Sequence, residues 1–521
     1  LRRCLAAVAA LVLLLATACS EPAAVRQPRV GESAFVYVSN LELITDWDPG
    51  SSYSNEIMAM QNIYETLTLW NPVTKKSSPR LATSWRSTAD GRTWTFTLRQ
   101  DVTFHTGRPM DATAVKQSIE RTMAGKAGAY YIWDAVSSIR VEDPYTITFA
   151  LRYPVPLDVV ASSAYAAYIY DTKAAPNLSE WFQAGRDAGT GPYTVAAWKK
   201  GAENEVTLKA YDDYWGGWDQ PHYRTVKFRV VPDQRKAWRL LLNGEVSFLY
   251  RLDPQLFARA ERSPGLRTSE RSSFQTAMLL FNTAKGPMTD LRVRRAVQKA
   301  VDYDGVIKAL RGGVMPHSGV VPEGLLGHVP GRRPRQDLAG AADLLRQAGY
   351  GPQGRHLRLT LTYAQGDGDQ RVLVNRLRRD LSRLNVTLRA RAMPWNEQWE
   401  LGKKAGQDIF VMYWWPDYAD GYSWFGNVFR SADPPVFNLT YLNDPTTDRL
   451  LDSLPELTVT DRPTAQQAFV RATRRVLDQQ AAAALPWVVN YRRAYLGSVQ
   501  GYVDNPAYPD VVFVYDLRPS G

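Results

Sequence analysis

The 521-residue sequence predicts an α/β architecture divided into several lobes. Three observations carry that prediction. Strand-like and helix-like hydrophobic patterns interleave along nearly the whole chain, which favours mixed layers over an all-α or all-β fold. The length suits two or three domains, and 45% hydrophobic residues is ample for large cores. No fixed-period repeat and no low-complexity tract is visible.

The elements follow in order. Arg2 and Arg3 precede an apolar run from Leu5 to Leu15, closed by Ala16-Thr17-Ala18-Cys19. That order is the pattern of a secretory signal peptide, and the run is too short to span a bilayer as a mature helix. A cysteine directly after small residues resembles a bacterial lipoprotein cleavage box. The resemblance implies a signal peptide over 1–18, a lipid on the Cys19 thiol and a lipidated tether over 19–30, where the chain is polar with Pro22 and Pro28. Ala16 stands where the commonest box has Leu, so a plain signal peptide with an incidental cysteine is the alternative. Sec and twin-arginine export both remain open. No later segment is long and apolar enough to span a membrane.

Cys4 lies in the leader and Cys19 at its end, which excludes disulfides and thiolate metal sites from residues 20–521. The net charge of +11 includes the two leader arginines. The remaining positive charges are dispersed among acids and read as a solvated surface, and export argues against a nucleic-acid partner.

Trp94, Phe96 and Leu98 alternate with threonines, the period of a half-buried strand, and Tyr145, Ile147, Phe149 and Leu151 repeat it after Asp143-Pro144. Between them Asp111 is placed to cap a helix through Val115 and Ile119. Val293, Ala296, Val297, Ala300 and Val301 form one helical stripe. Leu373, Leu377, Leu381 and Leu384 form another, and Phe469, Ala472, Val476 and Leu477 a third. Residues 341–348 form a short helix stopped by Gly349. Asp408 to Met412 reads as a strand that breaks near Pro416.

Ordered blocks run through the chain: Leu81-Ala-Thr-Ser-Trp85, Asp90-Gly91, Trp94 to Arg99, Val102-Thr-Phe-His105, Asp111 to Val115, Gly189-Thr-Gly-Pro-Tyr193 and Tyr214-Trp-Gly-Gly217. Phe281-Asn-Thr283, Ala300-Val-Asp302, Ala342 to Leu345 and Ala348-Gly-Tyr350 continue them. Their order and spacing resemble family 5 of the bacterial extracellular solute-binding proteins, the oligopeptide, dipeptide and nickel group. The resemblance implies a periplasmic-binding-protein-like fold of type II, cluster C-like, with two ligand-binding lobes on a hinge and an extra domain. It places the first lobe at 31–66, 189–275 and 486–521, the extra domain at 67–188 and the second lobe at 276–485. It also implies a monomer that captures peptides by lobe closure and delivers them to ABC transporter permease subunits, lipid-anchored on the outer face of the cell membrane.

The segment Tyr413-Trp414-Trp415-Pro416-Asp417-Tyr418 sets a carboxylate among aromatic rings. That combination suits an ammonium group, through a charge-assisted hydrogen bond and cation–π attraction. By resemblance to oligopeptide binders, Asp417 anchors the peptide amino terminus with Trp414 beside it, and Trp415, Tyr418, Trp395, Tyr130 and Tyr131 are further contacts. A structural role for Asp417 and a core role for Trp395 are the alternatives. Where some peptide binders carry an arginine for the ligand carboxylate, this chain has Val411 and Met412.

The sequence suggests no catalysis, metal or cofactor. His105, His222, His317, His328 and His356 are scattered without metal-ligand spacing, and His105 reads as structural. No nucleophile elbow or phosphate-cradling glycine loop is present. Asp367 and Asp369 read as a turn and not a calcium loop. Two other readings stay open: a family member for another solute (oligosaccharide, nickel chelate, haem or opine), and a transport-uncoupled sensor or adhesion protein.

Overall fold

A computed structural model describes residues 34–40, 46–201, 204–435 and 437–520. The leader, the tether and Cys19 lie outside the described residues.

The anticipated elements form where their patterns place them. Trp94, Phe96 and Leu98 are buried on strand Thr93–Leu98, with Thr97 exposed. The Asp111 carboxylate accepts the Ala114 N–H at 2.7 Å and caps helix Ala112–Gly125, satisfying a donor that has no partner inside the helix. The stripe from Val293 is fully buried on helix Leu291–Ala300. Asp367 departs from expectation. It is the cap of helix Gly368–Ser382, accepting the Gln370 N–H, and Asp369 lies in that helix's first turn. A β-region residue with a short acidic side chain serves a helix start as readily as a turn.

One sheet of 12 strands runs through the molecule. Its main path is Val386–Met393, Leu357–Ala364, Ile409–Trp414, Leu266–Phe281, Trp487–Leu496, Phe248–Leu249, Ala34–Ser39, Thr225–Val230, Glu205–Ala210 and Tyr193–Lys199. The 16-residue strand Leu266–Phe281 belongs to both halves. Its start pairs with Trp487–Leu496 and its end with Ile409–Trp414. The register slips between Ser272 and Thr276, where the Ser273 hydroxyl donates to the Val489 carbonyl at 2.7 Å. Trp487–Leu496 also crosses, pairing with Val314–Pro316 at one end and Phe248–Leu249 at the other. These two adjacent strands join the lobes.

Each lobe has its own core. Tyr37, Phe228 and Phe248 centre the first, with the Tyr37 and Phe248 rings stacked 5.5 Å apart. Val297, Leu361, Leu377 and Ile409 centre the second. An extra domain carries an antiparallel sheet of Ala82–Ser87, Thr93–Leu98, Thr146–Leu151 and Val136–Asp143. Its core, with Phe96, Trp133 and Phe149, continues into Trp424, Phe425 and Phe469 of the second lobe. Gly189 and Gly191 allow the chain to pass against the first lobe: a Cβ on either would lie 2.1 or 2.6 Å from the Ile63 carbonyl oxygen. His105 braces that crossing, bonding Asp187 through Nδ1 and the Gly191 carbonyl through Nε2 at 2.8 Å.

Candidate functional site

Strand Ile409–Trp414 ends at the seam between the second lobe and the extra domain, and the residues that follow turn into the seam. Pro416 follows the strand, and helix Tyr422–Val428 begins six residues later. The loop between is tied down from both sides. The Ser423 hydroxyl accepts the Asp417 N–H at 3.0 Å, and the Ser163 hydroxyl of the extra domain donates to the Asp417 carbonyl at 2.5 Å. The Trp415 Nε1–H donates to the Tyr165 hydroxyl at 3.0 Å, again across the seam.

A cavity of about 120 Å³ opens here, lined by Asp417, Trp414, Trp415, Trp395 and Tyr131 among the anticipated residues. Tyr53, Tyr165, Trp399, Met412 and Phe437 complete much of its wall. Trp395 is 48% exposed, which places it at the mouth and excludes the core role. It stacks on Trp399 at 5.6 Å; Trp399 lies 5.4 Å from Phe437, and Phe437 lies 5.1 Å from Trp414. The result is a continuous aromatic belt. The Trp414 Nε1–H is buried without a hydrogen-bond partner among the described residues, a donor that a ligand acceptor would satisfy. Val411 and Met412 are both buried on the strand, and Met412 gives the wall an apolar patch.

Among the described residues, Asp417 is the only acidic one lining this cavity. Burial pushes its carboxyl up to about 7, against the opposing pull of hydrogen bonds from Tyr131, Asn427 and Ser423. The Asn427 Nδ2 bond is 2.7 Å. Among the described residues no Lys, Arg or His pairs with Asp417. A buried carboxylate with polar neighbours and no counter-charge is electrostatically suited to a cationic ligand group.

A second cavity of about 770 Å³ adjoins the first, and the two share Gly128, Tyr131 and Phe437. Tyr130 and Tyr418 line this larger space and not the smaller one. The Tyr131 and Phe437 rings meet edge to face at 5.8 Å, between an extra-domain turn and a second-lobe loop. The seven anticipated residues thus surround two connected spaces. Of the residues that sequence reasoning did not single out, Trp399 carried a signal, since it lies one helical turn after Trp395 on helix Trp395–Lys403. Tyr53, Tyr165 and Phe437 arrive from distant segments and carried none.

Comparison with known proteins identifies the family and the fold. The chain belongs to the bacterial extracellular solute-binding proteins, family 5, whose middle-region model matches residues 76–435. It is 25% identical over 438 residues to the probable D,D-dipeptide-binding periplasmic protein DdpA of Escherichia coli, covering 83% of each chain. Among solved structures it resembles the ABC transporter-associated periplasmic binding protein DppA of Helicobacter pylori in complex with the peptide STSA. That match has a TM-score of 0.80 and 22% identity, over 94% of this chain and 98% of the other. It resembles NikA of Brucella suis in complex with Fe(III)-EDTA equally well, with a TM-score of 0.80 and 21% identity over 93% and 99%. The fold is therefore the periplasmic-binding type, with two lobes on a hinge and an extra domain, and the protein is an extracytoplasmic solute-binding protein.

Proposed function

We propose that this protein captures peptides with a free amino terminus and presents them to the permease of an ABC importer. The observation that carries the proposal is Asp417, a buried, uncompensated carboxylate in the wall of an aromatic cavity at the seam between the second lobe and the extra domain. A peptide ammonium would supply the missing charge, and Trp414 and Trp395 would flank it. The seam location supports capture by closure, because a ligand that touches both sides binds the closed form better than the open one and shifts the equilibrium by that difference. The likeness to dipeptide-binding relatives supports the peptide class.

The proposal includes a monomer tethered to the outer face of the cell membrane by a lipid on Cys19. It also includes the division of the chain into 31–66, 189–275 and 486–521 for one lobe, 67–188 for the extra domain and 276–485 for the other. The distinct cores of the first and second lobes support the separation of those two. Incorporation of radiolabelled palmitate that is lost in Cys19→Ser tests the anchor.

The decisive test compares Asp417→Asn with the parent protein by calorimetry, on a tripeptide and its N-acetylated form. Loss of the buried charge should weaken the free peptide by about 2–5 kcal/mol and leave the acetylated one nearly unaffected. Equal losses for both would remove Asp417 from the site. Mass spectrometry of ligands released from the natively produced protein tests the class. Recovery of only sugars or metal chelates overturns the peptide reading.

A further inference from the structure

Holding an amino terminus at Asp417 uses only the smaller cavity, and the 770 Å³ space beyond Tyr131 and Phe437 is left over. That volume is in the range of whole small-molecule sites and exceeds what a single side chain fills. Its walls present the rings of Tyr130, Tyr131, Tyr153, Tyr418, Tyr422 and Phe437. Tyr153 is 42% exposed, one of few large hydrophobic side chains left open to solvent in the described residues, and Tyr53 and Trp395 of the smaller cavity are two others.

Two features narrow the chemistry. First, no residue lining the larger cavity belongs to a β-strand: they sit on the turn Tyr130–Trp133, on helices Tyr422–Val428, Pro445–Asp452 and Leu454–Thr460, and on loops. Strand-type backbone pairing, the means by which an extended peptide is held without regard to its side chains, is therefore absent here. Second, the charged groups cancel. Lys126 and Asp134 come from the extra domain, and Arg430 and Asp452 come from the second lobe, already paired at 2.6 Å. Such walls do not select an ion. Flat rings combined with short polar groups match a ligand that offers apolar C–H faces and many hydroxyls, which describes a sugar ring. Asn427 sits in this wall while donating to Asp417, so the two spaces share a hydrogen-bonded partition.

We propose that the larger cavity is a second compartment that takes an uncharged sugar moiety of one or two rings, so that the complete ligand is a sugar-bearing peptide. Its amine sits at Asp417 and its sugar passes Gly128 and Tyr131 into the aromatic chamber. This inference rests on the amino-terminal role of Asp417, and its test separates the two. Calorimetry on the full chain compares Ser-Ala-Ala with the same peptide carrying N-acetylglucosamine on the serine hydroxyl. The sugar should tighten binding at least tenfold. Ala432→Trp, a bulky substitution at an exposed rim position, and Tyr153→Ala, which removes an exposed ring, should each bring that ratio toward one. Equal binding of the two peptides by the parent protein overturns the compartment and leaves the Asp417 role standing. So does a ratio that survives both variants. If neither peptide binds, titration with N,N′-diacetylchitobiose decides: binding weakened by Ala432→Trp supports the chamber, and no binding overturns it.

Discussion

At the scale of single residues, the protonation of Asp417 governs what the site can do. Burial holds its proton up to about pH 7, whereas an unfolded aspartate loses it near 3.9. The folded state thus binds more protons between those values, and this group's contribution to stability falls as pH rises from about 4 to 7 and is level above. Binding an ammonium requires the ionised form. Affinity for an amine-bearing peptide should therefore fall by up to about tenfold per unit below pH 7, with one proton released on binding. Calorimetry in buffers of different ionisation enthalpy reads that proton directly. Trp414→Phe keeps the ring and removes the unpartnered Nε1–H. It should cost about 0.5–1.5 kcal/mol of affinity if that donor meets a ligand carbonyl, and no loss would place the ring alone in contact.

At the scale of elements, local sequence chemistry decided most of what formed. Asp111 caps its helix as its position before Ala112 implied, and Asp111→Ala should cost about 1 kcal/mol of stability, measurable by denaturant titration. The period-two pattern of Trp94, Phe96 and Leu98 needs no tertiary information, because the alternation alone defines a buried face. Gly191 belongs to a different class. A Cβ there meets the Ile63 carbonyl oxygen at 2.6 Å, so Gly191→Ala forces backbone apart and should lower the thermal midpoint far more than an exposed, unstrained change such as Gly125→Ala. A cap needs one residue and its own helix, whereas a close crossing needs two segments 128 positions apart, which pattern reading does not pair.

At the scale of the whole molecule, the seam is the functional element. Arg251 of the first lobe reaches Asp369 of the second at 3.1 Å, both side chains about one-third exposed. Tyr131, Ser163 and Tyr165 contact the loop after strand Ile409–Trp414 from the extra domain. A partly exposed ion pair of this kind contributes about 0–1 kcal/mol. Asp369→Asn should therefore shift the lobe equilibrium of the ligand-free protein toward the open form by less than about fivefold, as read by fluorescence transfer between labels on the two lobes. The ligand supplies the larger bias. At a hundredfold excess over Kd it should add about 2.7 kcal/mol to stability, visible as a raised melting temperature.

Residue order alone determined the elements, the α/β class, the family blocks and the chemistry offered by Trp414, Asp417 and their neighbours. Those properties depend on short-range pattern, and a period or a carboxylate beside aromatic rings is visible in one stretch of chain. Tertiary structure decided which distant pieces share a space. It brought Tyr53, Tyr165 and Phe437 to the same cavity as Asp417, left that carboxylate without a basic partner among the described residues, and split the site into two chambers at Tyr131. Desolvation and cavity shape depend on every segment packed around a point, so they come into being only when the chain has closed on itself.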